Sequence, residues 1–134
     1  MAKVVITGKI PAIAVEQLRA QHDVVSWDEP VAITREELLK RVKGADAIVS
    51  LLTEKVDAEL LDAAGPQLKV VSNVAVGYNN IDVPACKERK VLVTNTPGVL
   101  TEATADIAMA LILMSTRRLA EGERVIRVTY ETRY

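Results

Sequence analysis

Two short turns hold the residues of this 134-residue chain that could do chemistry. The first, Asn73-Val74-Ala75-Val76-Gly77-Tyr78-Asn79, follows a β-branched apolar run; the second, Asn95–Thr101, follows another and contains Pro97-Gly98. Small residues at 75 and 77 keep backbone N–H groups accessible, and successive free N–H groups form a nest that binds anions. A carboxylate can be held there without a cationic side chain. The competing reading is an ordinary strand-to-helix turn in which Gly77 takes a positive φ. The segment Ser50–Glu54 follows a third apolar run, and its Leu52 would supply an apolar wall to the same site.

Other chemistries find few residues. The only histidine, His22, immediately precedes the run DVVS, which puts it at the amino end of a strand, away from the edge where open α/β sheets bind ligands. The only cysteine, Cys86, excludes an internal disulfide, suits a reducing compartment and reads as a packing residue. One Cys, one His and no clustered carboxylates supply no metal set. The six glycines never form G-x-G-x-x-G, the pattern that lets backbone approach a pyrophosphate, nor a phosphate-binding loop. Thr7-Gly8-Lys9 is a one-glycine echo of such a loop. A phosphorylated receiver needs acidic residues where this chain has Thr7-Gly8 and Ser50-Leu51. Flavin binding would draw on Trp27 and Tyr78, the aromatics on plausible ligand-edge loops. No catalytic residue is assigned.

The composition, 49% hydrophobic and 26% charged with a net charge of −1, gives enough apolar material for a core and no basic face for nucleic acid. The start MAKVVITGK goes straight into a strand without the form of a signal peptide, and Ile107–Met114 is too short to span a bilayer. A cytoplasmic protein with an aliphatic core is expected, since there is no Phe.

Positioning these turns requires alternating strands and helices. Strands are expected at 3–7, 23–26, 47–51, 68–72 and 91–94. Pro11 opens a helix to about Ala20 with Ile13, Val15 and Leu18 inward. Thr34 caps a helix, with Glu37 three residues on and Gly44 ending it. Asp57–Ala64 and a helix capped by Asp82 follow, and Thr101 caps a long last helix running to about Arg127. Continuously apolar strands joined by helical crossovers predict a parallel sheet covered on both faces. The expected architecture is a single α/β domain over 1–134, a flavodoxin-like three-layer sandwich with strand order 2-1-3-4-5; a six-stranded Rossmann half-sheet is the second choice. Ile107–Met114 is apolar on every side of a helical wheel. Either it lies between the sheet and neighbouring helices, or it packs on a second domain or subunit, as in a homodimer through 101–127.

The sequences VAVGYNNID at 74–82, VTNTPGVL at 93–100, TEATADIAMALIL at 101–113 and RRLAEG at 117–122 resemble the D-isomer-specific 2-hydroxyacid dehydrogenases, most closely the glyoxylate/hydroxypyruvate reductases. The resemblance spans about residues 2–127. It implies the substrate domain of a two-domain NAD(P)-dependent enzyme. Its turn, here Ala75-Val76-Gly77, would hold a 2-oxo or 2-hydroxy acid carboxylate through N–H groups. Leu52 would line the substrate pocket, Thr104 would touch the cofactor in a full-length enzyme, and the helix 101–127 would link domains and join a dimer.

The family's dinucleotide fingerprint, substrate-orienting Arg, Glu and acid–base His have no match here. Thr129–Arg133 resembles the segment just after that catalytic His, so its attachment to Arg127 suggests a cofactor domain removed and the ends joined. The expectation is an engineered or truncated substrate domain, inactive alone, without its own cofactor and with weak or no ligand binding. The alternatives are a self-associating scaffold without ligand and, third, a flavin protein.

Overall fold

The computed structural model describes residues 1–131, so part of the tail reading over 128–134 lies outside the described residues. The elements are β1 (Lys3–Ile6), α1 (Ala12–Arg19), β2 (Asp23–Ser26), α2 (Arg35–Arg41), β3 (Ala47–Ser50), α3 (Ala58–Ala64), β4 (Val70–Asn73), α4 (Val83–Glu88), β5 (Leu92–Thr94), α5 (Thr101–Thr116) and α6 (Leu119–Glu131). The five strands form one all-parallel sheet in the order β2-β1-β3-β4-β5, as the sequence implied. By packing, the chain divides between Pro97 and Gly98 into two compact units, where the sequence reads as one domain.

In the first unit, local signals set the helix ends. The Thr34 hydroxyl accepts from the Glu37 N–H at 3.3 Å, and the Asp57 carboxylate accepts from the Leu60 N–H at 3.2 Å. Asp82 does the same for Ala85 at 3.0 Å, ahead of a first-turn proline. Gly44 and Gly65 follow α2 and α3 with φ of 75° and 103°, a conformation glycine adopts freely. Burial opposes the charge on Asp57, but hydrogen bonds from Arg35 and the Leu60 N–H outweigh it and hold the carboxyl below its usual range.

Alternation along the strands sorts the sheet into two faces. Val25, Val5, Ile48, Val71 and Val93 form a row across all five strands by register. Val5, Ile48 and Val71 belong to the core, with Leu38 from α2 and Val42 just after it, Leu60 and Leu61 from α3, and Ala85 and Cys86 from α4. The opposite face meets α1. There Val4, Val49 and Val70 with Ala14 and Leu18 line an open apolar groove of about 630 Å³. Full cover of both faces was expected; within this unit α1 covers the second face only in part. No α1 residue is buried, and Ile13, expected inward, is 67% exposed.

In the second unit, the single helix expected over 101–127 is two helices. The Thr116 hydroxyl donates back to the Ile112 and Leu113 carbonyls, and Arg118 takes φ 52°, a left-handed stop that ends α5. Gly122 and Glu121 then donate to the Arg118 carbonyl to begin α6. Thr101 does not cap; Leu100 occupies that place without a side-chain hydrogen bond. None of the α5 residues is buried.

Candidate functional site

At the carboxyl edge of the sheet, β3 ends in Ser50 and β4 in Asn73, both fully buried. The Ser50 hydroxyl donates to Asn73 Oδ1 at 3.0 Å. Asn73 Nδ2 donates to the Gly77 carbonyl at 2.9 Å and to Asn80 Oδ1 at 3.2 Å. Asn80 Nδ2 in turn reaches the carbonyls of Leu51 at 3.1 Å and Glu54 at 3.0 Å. One amide pair, buried Asn73 and half-buried Asn80, therefore joins the loop after β3 to the turn after β4, and polar groups so satisfied rigidify what they connect. This brings the Ser50–Glu54 loop beside the turn. Leu52 itself is 58% exposed.

The turn is polarised. Its Ala75 carbonyl accepts from the Thr96 N–H at 2.9 Å, its Val76 carbonyl from Asn95 Nδ2 at 2.8 Å, and its Gly77 carbonyl from Asn73. All three acceptors are occupied. The N–H groups of Ala75, Val76 and Gly77 find no acceptor among the described residues. Ala75 is buried, whereas Val76 and Gly77 are exposed. Beside the turn, Tyr78, Val83, Val93 and Asn95 line a pocket of about 220 Å³.

Gly77 does not take a positive φ, which removes the ordinary-turn explanation for a glycine there. A Cβ at Gly77 would meet nothing within 4 Å. Gly77→Ala is therefore expected to leave chemical denaturation within about 0.5 kcal/mol of the parent; a loss above about 1 kcal/mol would show that the turn itself demands glycine. Gly8 differs, because a Cβ there would collide with the Leu51 side chain. That explains the Thr7-Gly8-Lys9 echo as close packing.

The remaining candidates are accounted for by their neighbours. Glu54, 5% exposed, accepts from the Thr7 hydroxyl at 2.6 Å, the Leu51 N–H at 2.8 Å and the Thr53 hydroxyl. Its oxygens are engaged in holding the loop. Burial pushes the Cys86 thiol up, the direction of an inert packing cysteine. Trp27 donates to the Val31 carbonyl at 2.7 Å, and Arg41 stacks 5.0 Å from its ring centroid, so one ring face is taken. His22 lines the α1 groove, and its Nδ1 is buried without a partner among the described residues. Thr104 lies in the second unit, and its hydroxyl donates to the Leu100 carbonyl of its own helix at 2.7 Å. The described residues contain no group of three or more His, Cys, Asp or Glu able to hold a metal, and none of their helices is long and apolar enough to cross a membrane.

Sequence comparison decides the family. The family model for the D-isomer specific 2-hydroxyacid dehydrogenase catalytic domain matches residues 4–133. The chain belongs to this family. Among curated relatives, the glyoxylate reductase of Thermococcus onnurineus is 48% identical over 125 residues, and that of Thermococcus kodakarensis is 49% identical over the same length. In each case the match covers 93% of this chain but 37% of the relative. A solved Thermus thermophilus protein superposes with a TM-score of 0.81 at 40% identity, over 93% of this chain and 40% of its own. An NADPH-dependent glyoxylate/hydroxypyruvate reductase from Sinorhizobium meliloti, solved with NADP and malonate, gives 0.70 at 30% identity over 99% of this chain and 40% of its own. This member of the 2-hydroxyacid dehydrogenases thus spans well under half the length of the relatives it matches.

The residues making the turn were legible as small residues following a buried strand. Asn73, Asn95 and Thr96, which tie back its carbonyls, and Asn80, which fixes Asn73, were missed as a group. The available signal was two amides, Asn73 and Asn95, at or just beyond the ends of apolar strands, where a packed sheet has no need of polar side chains.

Proposed function

We propose that this chain is the substrate-binding part of an NAD(P)-dependent glyoxylate/hydroxypyruvate reductase, and that the Ala75–Gly77 turn receives the carboxylate of a small 2-oxo or 2-hydroxy acid. The observation that carries the reading is the polarised turn: three carbonyls occupied from behind and three amides without an acceptor among the described residues. A relative solved with NADP and malonate, a dicarboxylate, supports it. Leu52 closes the site from the neighbouring loop.

The dinucleotide does not fit these residues. A pyrophosphate site needs clustered glycines at one strand-to-helix turn, and the left-handed glycines here, Gly44, Gly65 and Gly98, follow three different elements. Hydride transfer also needs a proton donor within hydrogen-bond reach of the carbonyl, and none of Ala75, Val76 and Gly77 has a titratable side chain. No redox step is assigned to the chain alone. It is expected to give no NADH consumption with glyoxylate or hydroxypyruvate above buffer; turnover proportional to protein concentration would overturn the assignment.

Binding is expected in the range of about 1 mM or weaker, because a small ligand held by few atoms has little free energy to offer. Titrating ¹⁵N-labelled chain with glyoxylate should move the Ala75, Val76 and Gly77 amide resonances first. Shifts confined to other residues would reject the nest. A second reading, self-association through α5, is favoured by the exposure of Ile107, Met109, Leu111, Ile112, Leu113 and Met114. The two readings are compatible.

A further inference from the structure

We propose that Asn95 and Asn73 are positioning residues for the carboxylate turn, and that they aim a fourth amide, that of Tyr78, into the same nest. The proposal rests on the carboxylate reading above and names the groups that give the turn its polarity.

The argument is one of peptide geometry. A trans peptide is planar, so its C=O and the N–H of the next residue point in opposite directions. Whatever grips a carbonyl therefore aims the following amide the other way. Thr96 N–H on the Ala75 carbonyl turns the Val76 N–H outward. Asn95 Nδ2 on the Val76 carbonyl does the same for Gly77, and Asn73 Nδ2 on the Gly77 carbonyl does it for Tyr78. Like its neighbours, the Tyr78 N–H finds no acceptor among the described residues, and Tyr78 is exposed.

The grips come from two directions. Asn73 reaches up from the end of β4 and is itself fixed by Ser50 and Asn80. Asn95 reaches across from the residue after β5, and Thr96 follows it. Glycine at 77 leaves the Val76–Gly77–Tyr78 backbone without a side chain to limit its rotation, so external clamps are what hold the planes. An amide side chain suits the task, since its NH₂ is a neutral donor that leaves the field at the nest favourable to an anion.

The experiment is a glyoxylate titration followed by ¹⁵N amide shifts in the parent chain, Asn95→Ala and Thr94→Ala. Thr94 lies on the same strand end but donates to the Ser72 hydroxyl at 3.0 Å, away from the turn. The expected result is saturation of Val76, Gly77 and Tyr78 shifts together in the parent. Asn95→Ala should weaken affinity about tenfold, as loss of one well-placed contact does, with the Gly77 response falling most and the melting temperature unchanged. Thr94→Ala should bind as the parent does. Parent binding at 75–77 with equal affinity in Asn95→Ala, or with Tyr78 unmoved, overturns this proposal and leaves the carboxylate reading intact. No shift at these amides in the parent overturns both. Should Asn95→Ala lower the melting temperature, Asn95→Ser repeats the comparison by the same criteria.

Discussion

With glutamate at both Leu111 and Ile112, the chain is expected to sediment as a monomer at concentrations where the parent sequence self-associates. The two residues lie in the middle of α5, and they are 58% and 55% exposed. Their neighbours Ile107, Met109, Leu113 and Met114 are exposed as well. Contiguous apolar surface of this kind marks an interaction site in a soluble protein. Burying one such side chain contributes about 1.5–3 kcal/mol, and a two-fold dimer buries each residue twice. Removing two per copy, and placing carboxylates where they would be desolvated, should weaken the dimer by at least about 100-fold. Sedimentation velocity across a concentration series checks this. A parent chain that stays monomeric throughout removes the self-association reading.

The second large effect is Ile48→Ala. Ile48 is fully buried at the centre of β3, paired by register with Val5 on one side and Val71 on the other. It faces the helices α2, α3 and α4 in the core. Truncating such a residue loses transfer free energy and leaves a cavity that a close-packed interior cannot fully collapse, at a cost of about 2–5 kcal/mol. That is a large fraction of the total stability of about 5–15 kcal/mol typical of a domain. The midpoint of urea unfolding should fall with an unchanged slope. A change below about 1 kcal/mol would mean that the valine row is not the centre of the core.

The fold was legible because its signals are local. Asp57, Asp82 and Thr34 announce helix starts by chemistry, and β-branched runs announce strands. The strand order followed from the strand count, since five parallel strands in a chain of this size suggest the order 2-1-3-4-5. Two failures have different causes. Ile13 sits at helical spacing with Leu18, yet burial depends on what lies opposite, and within this unit that face of the sheet is only partly covered. The helix through 101–127 carries no glycine or proline before Gly122, and nothing at Arg118 warns of a left-handed residue, because arginine is an uncommon occupant of that conformation. At the site, small residues pointed to the turn. The donors behind its carbonyls come from the ends of two strands, a juxtaposition that exists only once the sheet has formed.

The all-parallel sheet carries a kinetic consequence. Val4 meets Ala47 only after β2 and α2 have been passed over, and each remaining pair of strands is separated by a complete helix. There is no hairpin from which pairing can zip. Loop-closure entropy must be spent before any ladder repays it, so refolding should be slow for a chain of this size, and its half-formed strand edges will be vulnerable to aggregation on the ribosome or after dilution from denaturant.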